Sequence, residues 1–299
     1  MTTATIHYTN CPICGSANIK KVLTAKDYTV SGETFSIFGC ADCTGRFTQD
    51  VPSAAAIGPY YKSENYISHT NTNKGLVNRL YQSVRKRTLK QKRKLVEKIT
   101  GITKGNHLDV GSGTGAFAGE MKQAGWHVTG LEPDADARMV ASQQYHVELE
   151  DMVRFYQLQP ATFDAITMWH VLEHVHDLQG YMKQLSSILK EKGRLFIAVP
   201  NYTSKDAAIY KEYWAAYDVP RHLYHFSPTA MKTLVEKHGM KIAQYKPMWY
   251  DSFYVSMLSS RYRNGKMNLP AAFLNGLRSN TKATGHPERC SSVIYIISK

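Results

Sequence analysis

The stretch His107-Leu-Asp-Val-Gly-Ser-Gly-Thr-Gly115 constrains the fold more than any other part of the sequence. Apolar and β-favouring residues run directly into three glycines at alternate positions, and a helical pattern begins at Ala116. Glycines permit tight backbone angles and let a ligand approach the main chain at the start of a helix. A strand, a glycine turn and a helix in this order predict a nucleotide-type binding site in an α/β fold.

The spacing of these glycines leaves two motifs open. Gly111, Gly113 and Ala116 satisfy the looser dinucleotide pattern G-x-G-x-x-G/A. Gly111, Gly113 and Gly115, with Asp109 two residues ahead, resemble instead the first motif of class I S-adenosylmethionine-dependent methyltransferases. The choice depends on residues further along the chain.

From residue 101 onward the sequence alternates strand and helix patterns, which is typical of an open α/β sheet. The predicted strands are residues 107–110, 127–131, 147–149, 163–168, 194–199, 241–245 and 292–298. Glu132 follows the second of these strands, at the place where doubly wound folds bind ribose hydroxyls. An acidic residue there suits either motif.

Four sequence blocks decide between the two motifs: LDVGSGTG at 108–115, GLEPD at 130–134, FDAITMWHVLEHVHD at 163–177 and GRLFIAVPN at 193–201. The third block has no counterpart in the dehydrogenase fingerprint, so the chain resembles class I methyltransferases. The tract Tyr213–Ser227 resembles a block from a bacterial branch in which a zinc ribbon precedes that domain. The resemblance implies a Rossmann-like α/β fold, with a seven-stranded methyltransferase sheet whose last strand is antiparallel and a small N-terminal zinc ribbon.

Two Cys-x2-Cys pairs near the N-terminus predict a metal site. Each pair presents two thiolates from one tight turn, and four thiolates suit a structural Zn²⁺ with no open position. The predicted ligands are Cys11, Cys14, Cys40 and Cys43. Disulfides and buried free thiols are the alternatives, and disulfides are rare in a cytoplasmic chain. Cys290 stands alone and is predicted to be a buried thiol.

The predicted domains are a zinc ribbon at 1–50, a linker with a basic amphipathic helix at 51–100, and a methyltransferase domain at 101–299. A long insert at about 248–290 interrupts the last domain, either as a helical cap or as a surface loop. The formal net charge is +13, and ten of these charges fall between Lys62 and Gly105. The basic helix at 76–99 is either a solvated helix or a contact for an anionic membrane or nucleic acid.

The resemblance implies S-adenosylmethionine as the cofactor. The glycines would cradle its methionine and ribose parts, Glu132 would accept the ribose hydroxyls, and Trp169 and His170 would line the methionine end. Asp151 and Met152 would flank the adenine. The full predicted cofactor-binding set is Asp109, Gly111, Gly113, Gly115, Glu132, Pro133, Asp151, Met152, Trp169 and His170.

An oxygen acceptor must lose its proton, and histidine is the usual base near neutral pH. The candidate bases are His170, His174, His222 and His225, of which His222 and His170 are predicted to be catalytic. Glu173 and His174 could instead ligate a divalent metal, as in some quinone-pathway O-methyltransferases, or His174 could simply hydrogen-bond at a helix start.

The acceptor is expected to enter between the tract Tyr213–Phe226 and the insert at 248–290. The apolar walls would come from aromatic residues of the tract, namely Trp214, Tyr217, Tyr224 and Phe226. Arg221 would pair with an acidic group of the acceptor or with Asp218.

The favoured function is methyl transfer to a small-molecule, glycan or lipid-like acceptor at oxygen. An RNA methyltransferase that grips its substrate with the ribbon and basic helix is the first alternative. It is disfavoured because Met168-Trp-His-Val171 replaces the Asn/Asp-Pro-Pro-Tyr/Phe tetrapeptide of amino-group methyltransferases. A non-catalytic cofactor-binding scaffold is the second. No apolar run reaches membrane-spanning length and no signal peptide is visible, so the predicted compartment is the cytoplasm, with peripheral membrane contact through the basic helix as an option.

Overall fold

The computed structural model describes residues 4–62 and 76–299, with the side chains of the first helix described from residue 86 onward. Residues 63–75 of the predicted linker, and the first ten side chains of the predicted basic helix, therefore lie outside the described residues. The chain divides into two compact units. One comprises Met1–Ser68, His170–Met182 and Ala198–Ile296, and the other comprises His69–Trp169, Lys183–Ile197 and Ile297–Lys299.

Thirteen strands form the described sheets. They are β1 Thr5–Ile6, β2 Ile19–Lys26, β3 Thr34–Cys40, β4 Arg46–Thr48, β5 Val51–Pro52, β6 Asn106–Val110, β7 His127–Leu131, β8 Leu149–Glu150, β9 Phe163–Trp169, β10 Leu189–Pro200, β11 Tyr224–His225, β12 Lys241–Pro247 and β13 Ser292–Ser298.

The large sheet has seven strands in the order β12-β13-β10-β9-β6-β7-β8. Strands β9, β6, β7 and β8 run parallel to their neighbours, and the last strand is antiparallel. Leu108 and Val110 of β6 and Ile166 and Met168 of β9 are fully buried, as expected for parallel strands that are covered on both faces. The predicted α/β methyltransferase fold is confirmed.

The helices fall between these strands. They are α1 Leu76–Thr100, α2 Ala116–Gln123, α3 Ala135–Tyr145, α4 Leu178–Ile188, α5 Lys205–Tyr210, α6 Pro228–Lys237, α7 Asp251–Asn264 and α8 Leu269–Ala283. Local capping explains the start of α3, where the Asp134 carboxylate accepts the backbone N–H groups of Asp136 and Ala137. The insert at 248–290 thus contains two helices, as one of its two predicted forms requires.

Strand β10 begins five residues before the predicted strand start at Arg194. Residues 190–193 have a lysine-rich, glycine-terminated pattern that is typical of a helix end, but these residues are extended. Lys190 pairs with Asp164 of β9 at 2.8 Å, and a Cβ at Gly193 would approach the Phe163 carbonyl oxygen to 2.9 Å. Contacts with the neighbouring strand, which no local pattern contains, therefore override the helix-end signal.

The N-terminal residues form a four-stranded sheet together with a distant part of the chain. Its order is β11-β4-β3-β2, and β11 belongs to the tract Tyr213–Phe226. Tyr224 pairs with Phe47 and His225 with Arg46 in antiparallel register. The predicted domain boundaries at residues 50 and 100 stay predictions. Among residues 4–62 and 76–299, no helix combines the length and apolar character that a bilayer crossing requires.

Candidate functional site

The glycine loop after β6 has the backbone geometry that its sequence predicts. Gly111, Gly113 and Gly115 adopt φ angles of 67°, 54° and 77°, in the left-handed region that favours glycine. A Cβ at Gly115 would lie 2.5 Å from the Ala141 Cβ, whereas a Cβ at Gly113 would meet nothing within 4 Å. The loop therefore packs against helix α3 at Gly115 and is open at Gly113, where its backbone is accessible to a ligand.

Glu132 is fixed at the carboxyl end of β7 beside this loop. Its Oε2 accepts the Gly113 N–H at 2.8 Å and its Oε1 accepts the Asp134 N–H at 3.1 Å. The residue is 9% exposed, and burial raises the pKa of its carboxyl group, although these two N–H groups oppose the rise. Each carboxylate oxygen has a second lone pair, so the side chain can still accept a pair of vicinal hydroxyls.

Arg138 ties the ends of β7 and β8 together. Its Nη1 donates to the carbonyl oxygens of Glu132 and Pro133, at 2.6 and 2.8 Å, and to Asp151 Oδ2 at 3.1 Å. Asp151 also caps the turn Met152–Gln157 by accepting the Val153 N–H. The predicted residues from these two strands are thus brought together, and Asp151 has a structural role of its own.

Asp109 lies inside the protein beneath the loop. Its Oδ1 accepts the Thr167 hydroxyl at 2.6 Å, and the side chain is buried. Burial raises the pKa of its carboxyl group to about 6, against the opposing hydrogen bond from Thr167 and the nearby positive charge of Lys92. The contact with Thr167 thus joins the end of β6, just before the glycine loop, to β9.

Trp169 at the end of β9 carries a buried polar group without a partner. Its Nε1 has no hydrogen-bond partner among the described residues. The ring packs edge-on against Phe117 at 5.4 Å, and the Lys92 ammonium lies 4.2 Å from its centroid. A buried indole N–H without an acceptor is costly, so this atom and the adjacent ammonium suit an anionic group such as the carboxylate of an amino-acid moiety. The residues present therefore fit S-adenosylmethionine.

His170 follows Trp169 directly and belongs to the other unit. Its Nε2 contacts Asp251 Oδ2 at 3.0 Å and its Nδ1 contacts Glu173 Oε1 at 3.3 Å. Burial disfavours the charged ring, but the two carboxylates outweigh it and raise the pKa of His170 to about 10. An imidazolium at neutral pH is a poor proton acceptor, so its charge favours positioning over the predicted role as a base.

Glu173, His174 and His222 form a compact cluster whose candidate ligand atoms all lie within 4.8 Å of one another. The His222 Nδ1 is 2.8 Å from the Ala216 carbonyl oxygen, and the His174 Nδ1 is 3.0 Å from the Arg221 carbonyl oxygen. A carbonyl oxygen only accepts, so in a neutral ring with this contact Nδ1 donates and Nε2 keeps its lone pair. The His222 Nε2 lies 4.0 Å from Asp218 Oδ2. The Glu173 Oε2 is buried with no hydrogen-bond partner among the described residues.

The protonation states within this cluster differ. Burial, and then the neighbouring His222, lower the pKa of His174 to about 4, so its ring is neutral. Burial would raise the pKa of Glu173, but His170 overcomes it and lowers that pKa, so the carboxyl group is ionised. One carboxylate and two oriented imidazoles can accept a proton or ligate a divalent cation.

The aromatic side chains of the tract Tyr213–Phe226 are largely buried, and Trp214 and Tyr217 line a small cavity with Ala25 and Tyr262. The side chains expected to face an acceptor are buried, namely Trp214, Tyr217, Tyr224 and Phe226. Trp214 donates to Asp206 at 2.7 Å, and Tyr217 accepts from Arg46 at 2.8 Å. The expectation that these residues form the acceptor wall stays a prediction.

Arg221 pairs within the protein. It is fully buried, and its Nη2 lies 2.6 Å from Asp218 Oδ1 and 2.9 Å from Asp27 Oδ1. Of the two predicted partners for Arg221, the structure therefore shows Asp218. Asp27, directly after β2, is a second carboxylate partner. Burial alone would raise the pKa of Asp27, but hydrogen bonds led by Arg221 lower it to about 2.

The four predicted zinc ligands converge. Sγ distances are 3.6 Å for Cys11–Cys43 and for Cys14–Cys40, and all four atoms lie within 4.8 Å of one another. Zn–S bonds of about 2.3 Å in a tetrahedron place the sulfurs roughly 3.8 Å apart, whereas a disulfide requires about 2.05 Å. The Gly45 N–H also points at Cys43 Sγ, at 3.4 Å. The cluster is compatible with a structural zinc ion.

Sequence reasoning missed Asp251 and Lys92 as site residues. Asp251 lies 81 positions from the His170 that it contacts, and Lys92 is one of several lysines on a basic helix. No local pattern marks either residue, because both act through a contact that only the folded chain creates.

Comparison with known proteins agrees with this geometry. A family model described as a methyltransferase domain matches residues 81–245. The ubiquinone biosynthesis O-methyltransferase of Glaesserella parasuis is 32% identical over 120 residues, which cover 36% of this chain and 51% of the relative. The human mitochondrial ubiquinone biosynthesis O-methyltransferase is 28% identical, covering 49% of this chain and 44% of the relative. The chain thus spans about half the length of these curated relatives.

Among solved structures, a candidate sarcosine dimethylglycine methyltransferase from Galdieria sulphuraria superposes with a TM-score of 0.50 at 12% identity. The match covers 71% of this chain and 84% of that protein. At this identity the likeness concerns the fold alone.

Proposed function

The chain belongs to the methyltransferase-domain family, and from this premise we propose that it transfers a methyl group from S-adenosylmethionine to a hydroxyl oxygen of a small-molecule acceptor. The predictions of the family and of this cofactor are confirmed. The observation that carries the choice of oxygen is the orientation of His222, whose Nδ1 contact with the Ala216 carbonyl leaves Nε2 as a proton acceptor.

The cofactor-binding residues keep the assignments made from the sequence. The loop glycines would lie against the methionine and ribose parts, and Glu132 would accept the ribose hydroxyls with the lone pairs that its backbone contacts leave. The Trp169 Nε1 and the Lys92 ammonium would hold the carboxylate end. Asp151 and Met152 would flank the adenine. The bound cofactor supplies an electrophilic methyl group, and the protein's task is to orient the acceptor and exclude water.

His222 would take the proton from the acceptor. A phenolic hydroxyl, with a pKa near 10, is almost wholly protonated at neutral pH and becomes a good nucleophile only when a base removes the proton. Phenols are the first acceptor class to test because the named relatives are O-methyltransferases of ubiquinone biosynthesis. Glycans and lipid-like alcohols remain further acceptor classes within the same proposal.

A divalent cation held by Glu173, His174 and His222 is a second route to the same reaction. It is favoured by the buried Glu173 Oε2, which finds no hydrogen-bond partner in the described part of the chain. A bound cation would lower the pKa of a coordinated hydroxyl, and the two histidines would then be ligands rather than bases. The two routes differ in their response to a chelator.

The remaining assignments follow the family and the clusters. We propose residues 1–50 as a zinc ribbon, 51–100 as a linker and basic helix, and 101–299 as the methyltransferase domain. Four clustered thiols suit a reducing compartment, so the cytoplasm is the proposed location. RNA is not the proposed acceptor. Membrane contact through the basic helix is an alternative to contact elsewhere on the protein, and on this helix Arg93 pairs with Glu97 and Glu120.

The experiment measures transfer of radiolabelled methyl groups to a panel of phenols. We expect His222→Ala to lower turnover by about 100-fold while leaving S-adenosylhomocysteine affinity within a few-fold of the unmodified protein. His286→Ala, an exposed histidine, is the matched control. Full activity in His222→Ala would refute the base assignment. Loss of activity in chelator, restored by a divalent cation, would favour the metal route.

A further inference from the structure

The outer side of the α7–α8 helix pair exposes a concentration of large apolar side chains. Eight of them are between 41% and 59% exposed, and together they are called the outer face: Trp249, Tyr250, Tyr254, Met267, Leu269, Phe273, Leu274 and Leu277. Leu269, Phe273 and Leu277 recur at four-residue steps, so they form one stripe along α8. An exposed apolar stripe of this kind usually marks a contact site.

The inner sides of the two helices contain small and polar residues instead. The buried positions of α7 and α8 are Ser252, Val255, Ser256, Ser259, Ser260, Ala272, Asn275, Gly276, Ser279 and Ala283. A Cβ at Gly276 would lie 2.7 Å from the Phe253 ring, so the helices approach closely there. Helix α8 therefore buries its small residues and exposes its large apolar ones, whereas on α7 Tyr254 is exposed and Val255 is buried.

Hydrogen bonds fix this orientation. Ser259 accepts the Ala215 N–H at 2.8 Å, Asn275 donates to the Tyr210 hydroxyl at 3.1 Å, and Ser279 donates to Asp206 at 2.6 Å. Rotating either helix to bury its apolar stripe would leave these buried groups unpaired, at a cost for each of them. The exposure of the outer face is consequently a built-in property of the fold.

The charges around the outer face are almost all positive. Four exposed cationic side chains belong to the same helix pair and its connecting turn: Arg261, Lys266, Arg278 and Lys282. A fifth, Arg263, lies over the Tyr210 ring at 4.9 Å instead. Residues 249–283 contain a single acidic residue, Asp251, and it pairs with His170. The surface thus combines aromatic and aliphatic side chains with a basic rim.

We propose that the outer face binds the surface of an anionic phospholipid membrane. Helices that lie in a membrane interface combine apolar and aromatic residues on one side with lysine and arginine that contact lipid phosphates. A second copy of the chain fits less well, because a two-fold interface would place the same cationic residues against each other. The proposal is independent of the proposed methyl transfer, since it rests only on this surface.

The test is co-sedimentation of the full chain with lipid vesicles. Vesicles of phosphatidylcholine alone are compared with vesicles containing about one-third phosphatidylglycerol. We expect binding to the anionic vesicles that weakens in high salt. The triple variant Leu269→Ser, Phe273→Ser, Leu277→Ser should lower this affinity at least about ten-fold, and so should Arg261→Glu with Arg278→Glu. These residues are exposed, so the variants should keep the unfolding midpoint of the unmodified protein.

Two matched controls locate the contact. Met139→Ser removes an apolar residue of similar exposure, 55%, on α3, and Lys90→Glu with Lys94→Glu removes charge from the basic helix α1. Neither should change vesicle binding. The proposal fails if the protein does not bind anionic vesicles, or if the α1 variant abolishes binding while the outer-face variants retain it. It also fails if sedimentation equilibrium shows a dimer that Phe273→Ser dissociates while lipid binding is absent.

Discussion

Asp109 is a carboxyl group kept in the interior, and burial raises its pKa to about 6. The usual pKa of an unfolded aspartate is near 3.9. Between about pH 4 and pH 6 the folded state therefore retains a proton that the unfolded state has lost, so the contribution of Asp109 to stability falls as pH rises through this window. Above this pH window, the ionised and buried Asp109 carboxylate lowers the stability of the folded state by its full amount.

We expect Asp109→Asn to raise the free energy of unfolding at pH 7 by roughly 1–2 kcal/mol, since two pKa units correspond to about 2.7 kcal/mol. Asparagine can still accept the Thr167 hydroxyl, so this contact survives. Urea denaturation of both proteins between about pH 5 and pH 7.5 checks the sign. A difference between them that does not grow with pH would show that Asp109 is not the titrating group.

Glu132 provides the second residue-scale prediction. Glu132→Ala removes a carboxylate that accepts two backbone N–H groups, and we propose that it also holds the ribose. In the variant the bound ribose hydroxyls would lose their acceptor. An unsatisfied buried donor costs about 1–3 kcal/mol, so S-adenosylhomocysteine affinity should fall roughly 10- to 100-fold. Calorimetric titration measures it, with Glu148→Ala, an exposed glutamate bonded to Ser142, as the control. If Glu132→Ala and Glu148→Ala bound S-adenosylhomocysteine with equal affinity, the assignment of Glu132 to the cofactor site would be wrong.

The sequence was informative about these residues because strand ends and glycine turns have local signatures. Gly111, Gly113 and Gly115 have positive φ as their spacing requires, and Glu132 lies beside them. The contact of His170 with Asp251 joins positions 81 residues apart, and nothing in the sequence near either residue indicates it. The charge state of His170, and so its poor fitness as a base, could not be predicted.

At the scale of elements, the two cysteine turns and the strands between them form one unit of local structure. A tetrahedral zinc site would hold β2, β3 and the turns together, since four thiolates are linked through one ion. We expect about one equivalent of zinc per chain, and Cys43→Ser should lose it together with several degrees of thermal stability. Cys290→Ser, which changes a thiol outside the cluster, should keep its zinc. Unchanged metal content in Cys43→Ser would contradict the four-thiolate site.

Element bounds within the α/β part were largely predictable, whereas the pairing of β11 with β4 was not. Strands β7 and β13 have the predicted bounds, because alternation and flanking turns define them. Strand β11 has only two residues, Tyr224 and His225, which is too short for any periodicity. The sequence left the insert at 248–290 open between a helical cap and a surface loop, and the structure shows the helices α7 and α8 there.

At the scale of the whole molecule, the charge distribution and the cofactor motif concern different residues. Ten of the thirteen net positive charges fall between Lys62 and Gly105, outside the glycine loop and Glu132. A high isoelectric point therefore says little about the cofactor or acceptor. The central claim is that the loop Gly111–Gly115 with Glu132 binds S-adenosylmethionine rather than a nicotinamide dinucleotide, the alternative that the glycine spacing first allowed.

Isothermal titration calorimetry of the purified chain with S-adenosylhomocysteine and, separately, with NAD tests this claim most directly. The account predicts saturable binding of S-adenosylhomocysteine at about one molecule per chain, because one glycine loop and one acidic strand end form one site. It predicts no measurable heat with NAD at the same concentrations. Tighter binding of NAD than of S-adenosylhomocysteine would contradict it.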